Sequence, residues 1–580
     1  MEGTALAPPE SLEERWRARW EAALAAWSRF TKLSPPTWCR SGRQEQKEGL
    51  TGSFAMIRLQ DHAVVIGLRQ IEALGLQSFA VPILAHEIGH HVYAPGDLAD
   101  HARLLARVRV GLPSLERLAG YVANLYTDLL INDRLQRAAG LDMAGVYRAL
   151  RREPIDGLWA LYVRIYEMLW SLPSGSLGAV AVSERTRTDA ALGARLIRAY
   201  ARHWLDGGGR FAALCLPYLM EMREADLQAL APWFDTRDAG AGGEAPDGLT
   251  ELDEDEESGA IHPAEDPELT GLDGPAEEED GPAVGGGRAT RGGRKHRYRT
   301  PSSYVELMRS VGVNLSEDEL LRRYYRERAR PHLIRFPARE APRATDPLPE
   351  GVETWEPGSP LADVDWVETV ARSPIVVPGV TTVQRVFGTG EGASPERVPL
   401  DLYVGVDCSG SMANPKHVVS YPVLGAVILA LSALRAGARV RAVLSGEPGE
   451  HSATDGWERR EKEILRVLVG YLGTGYAFGV LRLKEDFLDA PPLRRPAHAV
   501  VVTDADVFHM LGEVKDGWEI AEQTLQRAGG GGTFVLHMPD ERHWGRQVAR
   551  LRGMGWDVRF VARWEDVVEF ARAFSRRTWA

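Results

Sequence analysis

Cysteine is nearly absent from this 580-residue chain, with Cys39, Cys215 and Cys408 the only three. Three thiols, none paired at zinc-ribbon spacing, make neither a disulfide framework nor a thiolate cluster. Lysine is scarce as well, seven residues among 69 Lys and Arg. That bias reads as genome composition, because no groove motif for nucleic acid accompanies the arginines. Long apolar runs are missing. The most apolar stretch, Val423 to Leu434, falls well short of the roughly 20 residues a bilayer requires. Met1 to Glu10 lacks a basic start followed by an apolar core, so no signal peptide is expected. These absences predict a cytoplasmic protein with no membrane span. No Gly-x-x-x-x-Gly-Lys-Ser/Thr occurs either, so any ATPase chemistry must come from another chain.

What remains is ordinary globular material, 44% hydrophobic and 26% charged, long enough for about four domains. The charge is unevenly placed. Glu244 to Asp280 holds 16 acidic residues and no Lys or Arg; without them the net charge of −12 becomes +4. Near-neutral folded parts argue for neither nucleic acid nor membrane surface as a partner. Ala239 to Gly287 is rich in Gly, Pro, Asp and Glu. It is too poor in large apolar residues to offset its ordering entropy, so a disordered linker is expected. A basic run follows, from Arg288 to Arg299. It reads first as a solvated, charge-balancing tail, with contact to RNA or to the acidic tract as the alternatives.

These landmarks divide the chain into a mainly helical domain over 1–235, an acidic then basic linker over 236–300, an intermediate region over 301–397 and an α/β domain over 398–580. In the first, Trp16, Trp20, Leu24, Trp27 and Phe30 recur at helical spacing and form a core face. Phe54 to Leu68 alternates around Gln60-Asp61 as a β-hairpin does. In the intermediate region, Ser316 and Glu319 form a capping box for a short helix, and Phe336 to Pro399 reads as Pro-rich and irregular. From Leu400 onward, strand-like runs alternate with amphipathic helices. The strands lie at Leu400–Val406, Arg439–Leu444, Ala497–Val502, Thr533–His537 and Trp556–Val561. Alternation of that kind implies a doubly wound, Rossmann-like parallel sheet.

Two constellations carry chemistry. The first is Ala85-His86-Glu87-Ile88-Gly89-His90-His91. On a helix His86 and His90 share a face, and two imidazoles so placed can bind one zinc ion. Glu87 then lies near the open coordination position, where it can take a proton from a zinc-bound water whose pKa the metal lowers to about 7. Gly89 leaves room for another backbone to approach. A third ligand is required, and Asp128 is the best candidate. It shares a helix face with Asn132, which would hydrogen-bond a ligating histidine from behind. Asp100, His101 and Asp133 are available too.

This region, about Phe54 to Leu135, resembles the zincin metallopeptidases, in the branch with an acidic third ligand on a later helix. The matching pieces are the His86-Glu87-x-x-His90 helix, the hairpin before it and Asp128-x-x-x-Asn132. The resemblance implies an α+β domain, zinc on His86, His90 and Asp128, Glu87 as general base, and a peptide or protein substrate. It also implies that His62 to Leu68 is a sheet edge to which an extended peptide adds as a strand. Where the family often has Glu then Asp in the later helix, this chain has Asp then Asn.

The second constellation ends a predicted strand: Asp407-Cys408-Ser409-Gly410-Ser411. One carboxylate and two hydroxyls around a point suit a hard cation such as Mg²⁺. Gly473-Thr474-Gly475 and Val500-Val-Val-Thr503-Asp504 follow in order, the last ending another strand. Residues 398–580 thereby resemble a von Willebrand factor A domain with its metal-ion-dependent adhesion site. The resemblance implies Mg²⁺ on Ser409, Ser411 and Thr474, with Asp407 and Asp504 holding it directly or through water. Where the family often has Asp-Gly, this chain has Asp504-Ala-Asp506, so Asp506 would share that role. Such a site does not catalyse but leaves one metal position for a partner's carboxylate. Bacterial relatives often work with MoxR-like AAA+ ATPases, and metallopeptidase-like domains occur fused ahead of them. The expected function is therefore a zinc metallopeptidase-like protein with a Mg²⁺-dependent binding domain. The alternative is a non-catalytic adaptor for an AAA+ ATPase. Cys408, next to an apolar strand, reads as a small buried residue and not as a nucleophile.

Overall fold

The computed structural model describes residues 11–50, 53–150, 157–178, 182–222, 244–252, 256, 259–270, 297–341, 345–391, 396–446, 450–475, 478–563 and 565–577. The chain divides into two units. One holds residues up to Glu327 with Lys416–Val418, the other Arg328–Pro415 and Val419–Ala580. The expected intermediate region is thus split between them. Among the described residues no helix is long and apolar enough to cross a membrane.

In the first unit a capping box formed by Ser11 and Glu14 starts α1 (Leu12–Arg17), and α2 (Trp20–Ala25) follows. The aromatic stripe is a core face at Trp16 and Trp20, but it does not persist: Phe30 is 74% exposed. A short strand β1 (Thr37–Cys39) precedes α3 (Gly42–Lys47). The hairpin is present as β2 (Ala55–Arg58) and β3 (Ala63–Gly67). His62, with φ of 54°, makes its turn. The sheet order is β1-β3-β2, with β1 parallel to β3. This corrects the expected edge. Because β1 covers one side of β3 and β2 the other, β3 is central, and β1 and β2 are the two edge strands among the described residues.

The helices follow as α4 (Leu68–Ala73), α5 (Ala80–Val92), α6 (Leu98–Val110), α7 (Ala119–Arg137), α8 (Met143–Ala149), α9 (Leu158–Leu169), α10 (Glu184–Ala199) and α11 (Trp204–Glu221). Pro82 lies in the first turn of α5, where its missing N–H has no intrahelical acceptor to lose. Nearly all of α7 is buried. It packs on α5 at Gly89, where a Cβ would lie 2.6 Å from both Ile131 and Trp27. What Gly89 admits is thus a pair of side chains and not another backbone. Trp27 is fixed in turn by donating Nε1–H to the Ala85 carbonyl at 2.7 Å.

The expected disordered linker is corrected over its described residues. Asp266 is buried and accepts from Arg210 Nε and Tyr200 Oη, each at 2.7 Å. Residues 250–252 hydrogen-bond to 297–299. Arg299 and Glu256 form a buried, bidentate ion pair. The order comes from pairing acidic with basic charge, a source of stability that a count of apolar residues does not register. The rest of the tract, including 271–296, lies outside the described residues. The helices Pro301–Ser310 and Glu317–Ala329 follow, the second opening on the expected Ser316–Glu319 box and crossing the unit boundary after Glu327.

The second unit begins with two nested two-stranded antiparallel ribbons where an irregular region is expected: β4 (Ala338–Ala341) pairs with β7 (Glu396–Pro399), and β5 (Thr345–Thr354) with β6 (Val383–Glu391). Pro347 and Pro349 within β5 hide its strand character, and a two-stranded ribbon tolerates them because a strand edge needs no donors. The main sheet runs β10-β9-β8-β11-β12-β13, from β8 (Asp401–Asp407), β9 (Val440–Ser445), β10 (His451–Ala453), β11 (Ala497–Asp504), β12 (Gly529–His537) and β13 (Asp557–Val561). All neighbours are parallel except β10, which folds back antiparallel on β9. The chain leaves β8 towards β9 and later returns to its other side as β11. The order therefore switches between β8 and β11, and a ligand crevice belongs at their C-terminal ends. The helix Tyr421–Arg435 is buried along most of its length. Tyr403, Phe478, Phe534 and Trp556 belong to a single apolar core.

One buried group gives this unit a pH dependence. His498 on β11 donates Nδ1–H to the Gly530 carbonyl at 2.9 Å and accepts from Thr533 Oγ1 at 3.0 Å. Burial holds it neutral, lowering its pKa from 6.5 to about 4. The unfolded chain therefore takes up this proton first. Stability is complete above pH 6.5 and declines as the pH falls towards 4, by an amount on the order of 3 kcal/mol. Asp407 in the same unit, its carboxyl raised to about 6 by burial, contributes with the opposite sign over part of this range. The His498 contribution is therefore a difference: in denaturant unfolding, His498→Gln should lose less stability than wild type as the pH falls from 6.5 to about 4.

Candidate functional site

Helix α5 carries His86 and His90 one turn apart, and α7 carries Asp128 opposite them. One ligand atom from each of the three lies within 4.8 Å of the others. Asp128 Oδ1 is 3.7 Å from His86 Nε2 and 3.5 Å from His90 Nε2. Tetrahedral arms of about 2.0–2.1 Å would set such atoms about 3.3 Å apart, so the group matches the span of a small divalent cation. The tautomers match too. His90 Nδ1 lies 3.1 Å from the Ala94 carbonyl, which can only accept. His86 Nδ1 lies 2.7 Å from Asn132 Oδ1. Each ring therefore carries its proton on Nδ1 and turns the Nε2 lone pair towards Asp128.

Asp128 is positioned from behind, by Asn124 Nδ2 donating to its Oδ2 at 3.0 Å. Asn132 Nδ2 donates to Tyr166 Oη at 2.9 Å and to Tyr147 Oη at 3.2 Å. Burial keeps Tyr162 and Tyr166 protonated, pushing both well above the usual phenol range, and the charge on Asp128 adds to the effect. Glu87 is 1% exposed. It lines a cavity of about 50 Å³ together with His86, Asp128, Asn132, Tyr147 and Ser53. That is space for a cation and one or two waters, given about 30 Å³ per water.

The rival third ligands do not join this group. Asp133 accepts from Arg137 Nε at 2.7 Å, and Asp100 pairs with Arg103. His101 is buried, its pKa driven to about 4 by desolvation and then by His90. The sequence reading missed Asn124, Tyr147, Tyr162 and Tyr166. Its only signal for them was Tyr162 and Tyr166 four residues apart on the apolar helix α9.

The second constellation gathers at the switch point of the large sheet. Asp407 ends β8 and is buried. Its Oδ1 accepts from Ser409 N–H at 2.9 Å and its Oδ2 from Thr503 Oγ1 at 2.7 Å. Ser409 and Ser411 hydroxyls lie 3.0 Å apart, and Ser411 donates to Asp504 Oδ2, also at 3.0 Å. Thr474 is tied in by its carbonyl, which accepts from Gly410 N–H at 2.6 Å. Its own Oγ1 is buried without a hydrogen-bond partner among the described residues. Burial outweighs these hydrogen bonds at Asp407 and pushes its carboxyl up to about 6. An unpartnered hydroxyl beside a desolvated carboxylate is the donor set a hard cation would complete. Asp506 contributes its backbone N–H to Asp504 Oδ1 at 2.9 Å, and its side chain is exposed. Thr503, unread in the sequence, orients Asp407. Cys408 is buried, its thiol pKa raised by desolvation, and it accepts from Leu472 N–H.

Gly446 marks how closely Thr474 is held: a Cβ there would sit 1.5 Å from Thr474 Oγ1. Gly446→Ala should therefore weaken Mn²⁺ or Mg²⁺ binding by about tenfold or more. Gly456→Ala, whose Cβ meets nothing within 4 Å, should leave the affinity unchanged in the same calorimetric titration.

No protein-family model matches this chain, and no curated protein sequence matches it, so the case for a function rests on the side chains above.

Proposed function

We propose that the first unit is a zinc-dependent peptidase-like hydrolase and that the second binds a protein partner through a Mg²⁺-dependent adhesion site. One observation carries the first half: His86, His90 and Asp128 converge on a point beside the cavity that Glu87 lines. Two imidazoles and one carboxylate are the ligand set of a catalytic zinc site that keeps a position open. Zinc bound there would supply Lewis acidity and a water acidified to a pKa of about 7. Glu87 is placed to accept a proton from a water in the cavity and to return it to a departing amine. Ser53 and Phe54, just ahead of the edge strand β2, line the same cavity. An extended peptide adding to β2 would therefore pass the site.

In the second unit Ser409, Ser411 and Thr474 would hold Mg²⁺, with Asp407 and Asp504 in support. A partner's carboxylate would take the remaining position. The partner that the resemblance to von Willebrand factor A proteins points to is a MoxR-like AAA+ ATPase on a separate chain.

The small cavity favours a second reading. About 50 Å³ is less than a peptide occupies, so a non-catalytic adaptor with a structural or degenerate metallopeptidase-like site also fits this geometry. Metal analysis of purified protein separates the two. The hydrolase reading expects about one zinc per chain in wild type and in Glu87→Gln, little in His86→Ala, and peptide hydrolysis lost in both variants. Zinc without hydrolysis in wild type would leave the adaptor with a structural site, and wild type free of zinc would end the hydrolase reading and leave the adaptor with a degenerate one. At the other site, Asp407→Ala or EDTA should weaken capture of the ATPase at least tenfold without unfolding the domain. Capture undiminished in EDTA would overturn the metal-bridged contact.

A further inference from the structure

Behind His86 lies a polar cluster that the hydrolase reading does not use. Three hydroxyls, from Tyr147 on α8 and from Tyr162 and Tyr166 on α9, lie within hydrogen-bond distance of one another: Tyr147 to Tyr162 at 3.0 Å, Tyr162 to Tyr166 at 3.0 Å and Tyr147 to Tyr166 at 3.2 Å. Phenols usually occupy a core singly, each with one acceptor. Three meeting hydroxyls, all buried, call for a proton count.

Each phenol has one proton to donate. In a closed ring, Tyr147 donates to Tyr166, Tyr166 to Tyr162 and Tyr162 to Tyr147, and all three protons are spent. The ring can then only accept from outside. Asn132 meets it at both Tyr147 and Tyr166, so the amide must turn its two N–H groups to the phenols. Its carbonyl oxygen is left facing His86 Nδ1, which must donate, and Nε2 is bare on the side of Asp128. The flipped amide does worse. Tyr147 and Tyr166 would both have to donate to Oδ1, breaking their own bond and leaving one amide hydrogen unsatisfied. An N–H would then face His86 Nδ1 and force the proton onto Nε2, where it blocks a metal. The native orientation keeps six hydrogen bonds and the flipped one four.

We propose that Tyr147, Tyr162 and Tyr166 are positioning residues whose ring of hydroxyls fixes the Asn132 amide and, through it, the tautomer in which His86 can bind a metal. The relevance to metal rests on the reading of His86 as a ligand; the control of the tautomer does not. Tyr166 is the member to test, because it does not line the cavity. Without its hydroxyl the two amide orientations make equal numbers of hydrogen bonds, while a Phe ring keeps the packing against Trp170 at 4.4 Å between centroids.

The full chain, labelled with ¹⁵N-histidine and free of metal, should show His86 in the Nδ1–H form. Tyr166→Phe should show a mixture of tautomers and a zinc affinity about tenfold lower, read against a chromophoric chelator. Asn132→Asp supplies the rescue. A carboxylate only accepts, so His86 must donate whatever the phenols do. The double variant Asn132→Asp/Tyr166→Phe should therefore bind zinc as tightly as Asn132→Asp alone. An equal loss in both backgrounds, or a Tyr166→Phe protein with unchanged tautomer and affinity, would make the ring mere packing. Wild type that binds no zinc but whose His86 tautomer still responds to Tyr166→Phe would sink the hydrolase reading while upholding the ring.

Discussion

The contact of α5 with α7 is the constraint on which the first unit's site depends. Gly89 lets Ile131 and Trp27 close to within what would be 2.6 Å of a Cβ, and only at that approach does Asp128 come within 4 Å of both imidazoles. The approach has a cost. Helix α7 is buried along most of its length yet carries Asn124, Thr127, Asp128, Asn132 and Asp133. Buried polar groups are tolerated only when hydrogen-bonded. Each of these has a partner: Asn124 holds Asp128, Thr127 bonds back to the Ala123 carbonyl, Asn132 bridges histidine and phenols, and Asp133 takes Arg137. The polar ladder and the close approach are therefore one feature. The helix can be buried because its polar side chains are committed, and their commitment fixes where the ligands point.

The two candidate centres handle a buried carboxylate in different ways. Asp128 faces two imidazole nitrogens and an amide, soft and directional groups that suit a tetrahedral ion. Asp407 faces a backbone N–H and hydroxyls. There desolvation wins, since its carboxyl rises from 3.8 to about 6, a penalty on the order of 3 kcal/mol on the charged form. Neutral hydrogen-bond donors do not fully offset the loss of water, and a divalent cation would. The first centre is shaped by the direction of its ligands and the second by an electrostatic deficit.

Legibility in the sequence followed the range of the interactions. The parallel sheet was readable because β8, β9, β11 and the Phe534–Leu536 stretch of β12 are apolar runs with turn signals between them. The candidate ligand group was legible in part because spacing on one helix, His86 to His90 or Asp128 to Asn132, is a local property. Three things were not. β1 is three residues long and its pairing with β3 is non-local, so the sheet edge was expected on β3, which is central, instead of on β1 and β2. Pro347 and Pro349 masked β5. The packed part of the acidic tract is held by ion pairs such as Glu256 with Arg299, 43 residues apart, which no count of apolar residues detects. The phenol ring fell in the same class, since Tyr147 and Tyr162 sit on different helices and each is an unremarkable core residue by itself.

Access and ligand orientation meet in one side chain. The cavity beside Glu87 is bounded on one side by Ser53 and Phe54 and on the other by Met143, Val146, Tyr147 and Leu150 around α8. On the hydrolase reading proposed above, a peptide entering between β2 and α8 would have to widen that gap. If α8 is the element that yields, Tyr147 moves with it, and its hydroxyl closes two of the three sides of the phenol ring. If β2 yields, the ring is undisturbed, because neither Ser53 nor Phe54 contributes to it. A route that keeps His86 in its metal-binding tautomer during substrate entry is therefore displacement of the strand and not of the helix. On the same reading β2, as an edge strand beside the cavity, would also receive the peptide, so the demands of binding and of ligand geometry would point to the same side of the cavity.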